Sequence, residues 1–297
     1  MHYKMFFAAM ALMAASCTSE SFEQSVEQQA KQTQAPVTVS VSVFSVEQGD
    51  FPTTRATQAV GSYNGIQKLT LAFYKSGGTE VYKTTQAKGD ADFGEFSTSL
   101  PIGSYTMVVL GYVLYDDDEL TLTSPTQAEW TNGCIRETFA ATQAVNVTST
   151  TALNLSATLD RIVTCLQVIS TDGRTANVNK VRMTFSAGGK RFSPTSGLAT
   201  VNTGSVSTVG NSATVGTSST SKGYVFLATD EQTMDVTIET LDAEGNTIFS
   251  TLVSNVPFKR NRITRLTGAM YDVSASATAG GFQVNTTWLD EEDPINF

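Results

Sequence analysis

Residues 37–43 read Val-Thr-Val-Ser-Val-Ser-Val, four valines in strict alternation with small hydroxyl side chains. At a period of two the valines share one face and the hydroxyls the other, which suits a strand that is dry on one side and wet on the other. The signature recurs down the chain. Leu69, Leu71 and Phe73 alternate within 66–74, further strand-length pieces lie at 80–83 and 93–100, and 105–113 is apolar almost throughout, as a central strand would be. Val145, Val147, Leu153 and Leu155 keep the period across 145–155. Past a boundary near 156–161 a second series runs through 162–170, 180–185, 224–229, 234–241, 247–253, 262–266 and 282–288, with a hairpin turn at Asp242-Ala243-Glu244-Gly245-Asn246. The Ser/Thr/Gly/Val stretch between 199 and 222 is weakly patterned and reads as a long loop.

No helical period of useful length follows the first 16 residues. Composition agrees: threonine supplies 44 of 297 residues, and the charged fraction is 16%, against roughly 25% in an average soluble protein. Strand-favouring threonine stands where helix-favouring Glu and Lys would be. The expectation is an all-β chain of two sandwiches in tandem, of about seven strands each.

The one histidine is His2, within residues 1–16, which read as an export signal to be cut away. That excludes a Ser-His-Asp triad, a Cys-His pair and His-ligated zinc. A net charge of −9 argues against a nucleic-acid surface. The remaining charged groups read as scaffolding. Asp116-Asp117-Asp118-Glu119 lacks the ligand spacing and turn glycine of a calcium loop and reads as a solvated loop. Asp290-Glu291-Glu292-Asp293 reads as a solvated tail, and nothing places the two runs across a cleft as a glycosidase would need. Lys259, Arg260, Arg262 and Arg265 read as a charged exposed strand face. The pairs Gly77-Gly78, Gly188-Gly189 and Gly280-Gly281 mark turns and cradle no phosphate, since no helix follows them. No catalytic residue, metal or cofactor is expected, and a structural or binding protein is favoured over an enzyme.

In the export signal, Lys4 stands ahead of an apolar run, 5–15, too short to span a bilayer permanently. The small residues Ala14-Ala15-Ser16 before Cys17 resemble a bacterial lipobox, although Ala14 stands where Leu is common. The alternative is an ordinary secretory signal with an incidental cysteine. In a lipoprotein the peptidase cuts before Cys17 and its thiol takes the lipid. Cys134 and Cys165 then remain, and in an exported protein a disulfide between them and two buried free thiols are both open. The polar stretch 17–35 reads as a solvated tether.

Several local patterns together resemble the fimbrillin family, the major and accessory pilins of Gram-negative gut and oral bacteria. They are Cys17, the strand 69–74 (LTLAFY), the turn and strand 100–109 (LPIGSYTMVV), the strand 159–166 (LDRIVTCL), the segment 260–268 (RNRITRLTG) and the late Trp288. The resemblance implies two transthyretin-like Greek-key sandwiches, at 56–156 and 157–297. It implies export as an outer-membrane lipoprotein held by lipid on Cys17, and cleavage by an Arg-specific or trypsin-like protease between Arg55 and Ala56. The cut would free residues 36–55, with the propeptide strand Val37, Val39, Val41 and Val43. A strand from a neighbouring subunit, self or paralogous, would fill the opening and build a surface fimbria with a role in adhesion.

Elementary physics gives that scheme a rationale. Losing strand 37–43 would expose unpaired backbone and an apolar slot, and a donor strand repairs both. Residues 282–288 are such a strand, with Phe282, Val284, Thr286 and Trp288 on one face. The alternative is that both strands pair only within their own domains, in a fimbrial anchor or a lone lipoprotein that binds a host glycan or protein.

Overall fold

The computed structural model describes residues 36–48, 56–115, 118–148, 151–271 and 282–289, with the backbone alone described at 44–48, 56–58 and 283–289. Among these residues there is no helix. The first half carries β1 (Val37–Gln48), β2 (Ala56–Gln58), β3 (Lys68–Lys75), β4 (Glu80–Ala87), β5 (Glu95–Leu100), β6 (Gly103–Tyr112), β7 (Leu120–Ser124), β8 (Gln127–Trp130), β9 (Thr138–Val147) and β10 (Leu153–Arg161). The second carries β11 (Thr164–Ser170), β12 (Lys180–Phe185), β13 (Arg191–Ser193), β14 (Leu198–Ala199), β15 (Ser205–Gly210), β16 (Thr220–Val225), β17 (Glu231–Leu241), β18 (Thr247–Lys259), β19 (Ile263–Gly268) and β20 (Gln283–Leu289).

Both halves share one plan. In the first, β5, β1 and β10 lie side by side and face β4-β3-β6-β9; the two layers join at one corner, where Asp160 and Arg161 of β10 pair with Ala140 and Phe139 of β9. In the second, β16-β11-β19-β20 faces β15-β12-β17-β18. With each half's main strands taken in chain order, the fourth, first and seventh form one layer and the third, second, fifth and sixth the other. In both halves the first strand runs parallel to the seventh, β1 to β10 and β11 to β19. The second half differs by β20, which adds antiparallel to β19.

Three apolar cores result. The first lies between the layers of the N-terminal sandwich and holds Leu69, Leu71 and Phe73 of β3 with Tyr105, Met107 and Val109 of β6. The second fills the C-terminal sandwich around Val168, Met183, Ile238 and Phe258. The third covers the outer face of β3 and β6. There Ala72, Tyr74, Val108, Leu110 and Tyr112 pack under the small sheet β14-β13-β8-β7. The apolar character of 105–113 is thereby explained: β6 is buried on both faces and has no wet side to alternate with. Trp130 is fully buried here, its indole Nε1 donating to Thr138 Oγ1 at 3.2 Å and its ring edge-on to Tyr112. Burial pushes the Tyr112 phenol up, partly offset by hydroxyl contacts with Thr70 and Thr85.

Several sequence expectations change. The stretch 145–155 is two strands, β9 and β10, not one. β10 runs through residues 156–157 and buries Ala157 and Leu159 in the first core, so the passage to the second sandwich falls after Arg161. The expected loop at 199–222 contains β15, paired with β12 from Lys180↔Gly210 to Phe185↔Ser205. Its polarity is inverted: Val206 is half exposed and Ser207 is buried against Gly223 and Met183. Cys134 and Cys165 are separate, buried free thiols, so the disulfide left open by the sequence is not formed. Cys134 Sγ instead bridges to the Thr208 backbone, 3.0 Å from both its N and its O.

Candidate functional site

The leading strand is built into the first core. Val37, Val39, Val41 and Val43 are each at most 3% exposed, while Thr38 is exposed and Ser40 and Ser42 half-buried. The valines pack among Phe96 and Leu100 of β5, Ala157 and Leu159 of β10, and the β3 and β6 side chains opposite. Both backbone edges are used. From Val39↔Leu153 to Glu47↔Asp160 β1 runs parallel to β10, with a register shift between Val43 and Ser45. From Val37↔Leu100 to Ser42↔Glu95 it runs antiparallel to β5. Val43 N donates to Gly94 O at 2.7 Å, and Ser42 Oγ donates to the Glu95 carboxylate.

Burying a valine side chain is worth roughly 1.5–3 kcal/mol, so four contribute about 6–12 kcal/mol as an upper figure. A whole domain is stable by only about 5–15 kcal/mol. A first sandwich stripped of β1 and left empty would therefore have little stability to spare. It would also present two open strand edges, those of β5 and β10, beside a dry slot.

β1 turns back on itself. Val46, Glu47 and Gln48 pair antiparallel with Gln58, Thr57 and Ala56 of β2. Residues 49–55 connect these strands, so Ala56 is the first residue of β2. Arg55 and Cys17 lie outside the described residues.

At the other end of the chain, β20 lies at the edge of its sheet, paired with β19 from Ile263↔Leu289 to Thr267↔Gln283. Phe282, just before it, is half-buried against the second core. The side chains of Val284, Thr286 and Trp288 lie outside the described residues, so the expected single-face arrangement rests on backbone alternation. The structure thus places 37–43 and 282–288 in different sandwiches, each paired within its own half.

A model of the family of unknown function DUF6562 matches residues 28–292. The chain belongs to DUF6562. The matched span begins after Cys17 and takes in β1, Arg55 and β20. This membership stands in place of the fimbrillin name that the local motifs suggested. No curated protein matches the sequence.

Solved structures of similar layout include the fimbrial anchor protein Mfa2 from Porphyromonas gingivalis, at 11% identity and a TM-score of 0.48, with 86% of this chain and 100% of that one covered. A second is a DUF1812 protein from Bacteroides thetaiotaomicron proposed to bind polysaccharide, at 11% identity and a TM-score of 0.49, with 86% and 99% covered. A third is the tip fimbrial protein Mfa3 from P. gingivalis, truncated at its C-terminus, at 11% identity and a TM-score of 0.40, with 86% and 100% covered.

Asp116, Asp117 and residues 290–293 lie outside the described residues, and the other charged groups singled out from the sequence have structural partners. The Asp118 side chain is buried, not solvated: its carboxylate accepts from Tyr115 N at 3.0 Å and Cys134 N at 2.9 Å and pairs with Arg136 at 2.6 Å. Lys259 pairs with Glu231, Arg260 with Asp230, and Arg265 Nε donates to Gln167 Oε1. Among the described residues no group of three His, Cys, Asp or Glu side chains is placed to hold a metal.

Proposed function

We propose that this DUF6562 chain is a non-enzymatic structural subunit of a surface fimbria with a role in adhesion. It is exported as an outer-membrane lipoprotein on Cys17, cut between Arg55 and Ala56 by an Arg-specific or trypsin-like protease, and polymerised when a donor strand takes the place of β1. The observation that carries this reading is the position of β1, a first strand central to a core and attached to β2 through the 49–55 connection. A strand so placed is removable by one cut, and its loss leaves a slot shaped for another alternating strand. β20, an edge strand near the chain's end, is the donor in this reading. A head-to-tail contact that does not close on itself grows a filament. The repeated layout of the two halves supports reading them as tandem transthyretin-like Greek-key sandwiches.

Brief trypsin treatment of the full chain, with N-terminal sequencing and an unboiled denaturing gel, tests the scheme. A new N-terminus at Ala56 and a ladder of multimers are expected, and Arg55→Gln and truncation after Tyr271 should each abolish the ladder. Cleavage with no multimers, or a stable uncut monomer, would overturn polymerisation. The second reading would then stand, that of an anchor or non-polymerising lipoprotein, favoured by both strands being paired within their own chain. Palmitate labelling that survives Cys17→Ser would remove the lipoprotein step.

A further inference from the structure

Beside the small sheet that covers β6 lies a cleft of about 410 Å³, bounded by β8, β13 and the segment leading into β15. It takes no part in the exchange of β1 for a donor strand. Its volume falls within the roughly 300–1,000 Å³ of small-molecule sites and suits a saccharide of about one or two rings.

The walls are of two kinds. Glu129 of β8 and Arg191 of β13 face each other as a cross-strand pair, Arg191 Nε meeting Glu129 Oε2 at 2.8 Å. Lys190 Nζ lies 3.8 Å from the other carboxylate oxygen. Two cations thus share one carboxylate in a chain whose net charge is −9. Arg191 gives only its Nε to that pair, leaving its two terminal nitrogens without a hydrogen-bond partner among the described residues. Its side chain is 41% exposed and that of Lys190 53%, so both heads reach solvent at the mouth.

On the β15 side the cleft is lined by the exposed Thr203 and the half-exposed Val206. The backbone here is fixed by glycine. Gly204 has φ +83°, and a Cβ on it would fall 2.3 Å from Phe185 O, while one on Gly189 would fall 2.2 Å from Val201 O. Neither position accepts a side chain, so the cleft keeps its shape.

We infer that this cleft binds a carboxylated sugar. The planar, half-engaged Arg191 guanidinium takes the carboxylate, with Lys190 adding charge, because a fork of N–H donors matches two carboxylate oxygens. Thr203, exposed at the mouth, meets a ring hydroxyl, and Val206 meets a C–H face of the ring.

The test is a titration of the full chain, by calorimetry or NMR, with digalacturonic acid, neutral cellobiose and inorganic phosphate as probes. Saturable binding of digalacturonic acid, stronger than either control, is expected. Arg191→Gln should weaken it by about ten- to a hundredfold, the loss of one charge-assisted contact. Thr203→Trp, an exposed substitution at the mouth, should block it with thermal unfolding unchanged. No saturable binding of digalacturonic acid, or equal binding by Arg191→Gln protein that unfolds at the wild-type temperature, overturns the site. Phosphate binding as tightly as digalacturonic acid overturns the sugar assignment.

Discussion

Arg161 and Glu137 form an ion pair at 2.6 Å with both side chains only 9% exposed, at the corner where β10 closes the first sandwich. The pair is embedded. Tyr63 OH donates to Glu137 Oε1 at 2.8 Å, Arg161 Nη2 donates to Tyr63 OH at 3.0 Å, and Arg161 Nη1 reaches Asn261 Oδ1 of the second sandwich at 3.2 Å. The guanidinium also lies over the Phe139 ring. Removing one partner strands the other charge away from water, which is far costlier than removing both. Glu137→Ala should therefore destabilise the chain by about 3–5 kcal/mol, whereas Glu137→Leu with Arg161→Met should cost much less. Urea unfolding of the two variants decides this, and equal losses would show that the buried charge is not the cause.

The slot beneath β1 gives a second expectation. Once the chain is cut after Arg55 and residues up to 55 are dissociated, the first core should bind a hydrophobic dye that the intact chain ignores. A synthetic peptide of residues 36–48 should displace the dye, because it restores the valine face and both edges together. The same peptide with Val39→Asp and Val41→Asp should not, since each carboxylate would enter a fully dry position. Displacement by both peptides would mean that the edges alone, without the slot, capture a strand.

How far the sequence led can be judged element by element. β1 and β12 were legible because each has one wetter face and one dry one, the condition under which alternation appears. β15 was not, because it is an edge strand that turns Ser207 inward and Val206 outward. The small sheet was illegible for another reason. β7 and β8 lie between β6 and β9 in the chain, β13 and β14 between β12 and β15, and each piece is too short to show a period until the two meet through Arg191↔Glu129 and Phe192↔Ala128. The one available hint was the doubly apolar 105–113, which required cover on its second face. Asp118 read as solvent-exposed because its run is acidic; its actual partners, Cys134 N and Arg136, lie 16 and 18 residues on and become neighbours only in the fold. The slot residues were legible as a strand, and their centrality was not, because pairing with β10 depends on a contact more than 100 residues distant.

Acid should act through a pair on the far sandwich. Arg182 and Glu239 face each other across β12 and β17 and meet twice, at 2.6 and 2.7 Å. These hydrogen bonds hold the Glu239 carboxyl below its usual range, with burial opposing and the Thr247 hydroxyl assisting. A carboxyl depressed in the folded state stabilises fully above its unfolded value, near 4.3, and loses that contribution as pH falls through the folded value. The pair is partly exposed, so its worth is about 0.2–1 kcal/mol. Glu239→Gln should unfold at lower urea than the parent at pH 7, and the gap should close as the pH approaches 3. A gap that stays constant over that range would assign the loss to packing instead.

The free thiols supply the last expectation. Cys134 is buried between the segment leading into β9 and the Thr208 backbone of β15, and Cys165 lies within β11, paired to Tyr224 and Ile263. Each is shielded from solvent, and a thiol reacts as its exposed thiolate. In Cys17→Ser protein, a thiol reagent should modify neither cysteine in the native state and both in guanidinium without reductant. Failure to modify either in guanidinium would mean that oxidation joins them after all. Cys134→Ser should keep the bridge to Thr208, since a hydroxyl both donates and accepts, whereas Cys134→Ala should lose it and leave the Thr208 groups unpaired at a cost of about 1–3 kcal/mol. Comparing the two variants separates the hydrogen bonds from the volume of the sulfur. If serine destabilises as much as alanine, the sulfur's packing and not its hydrogen bonding joins the first sandwich to the second at this point.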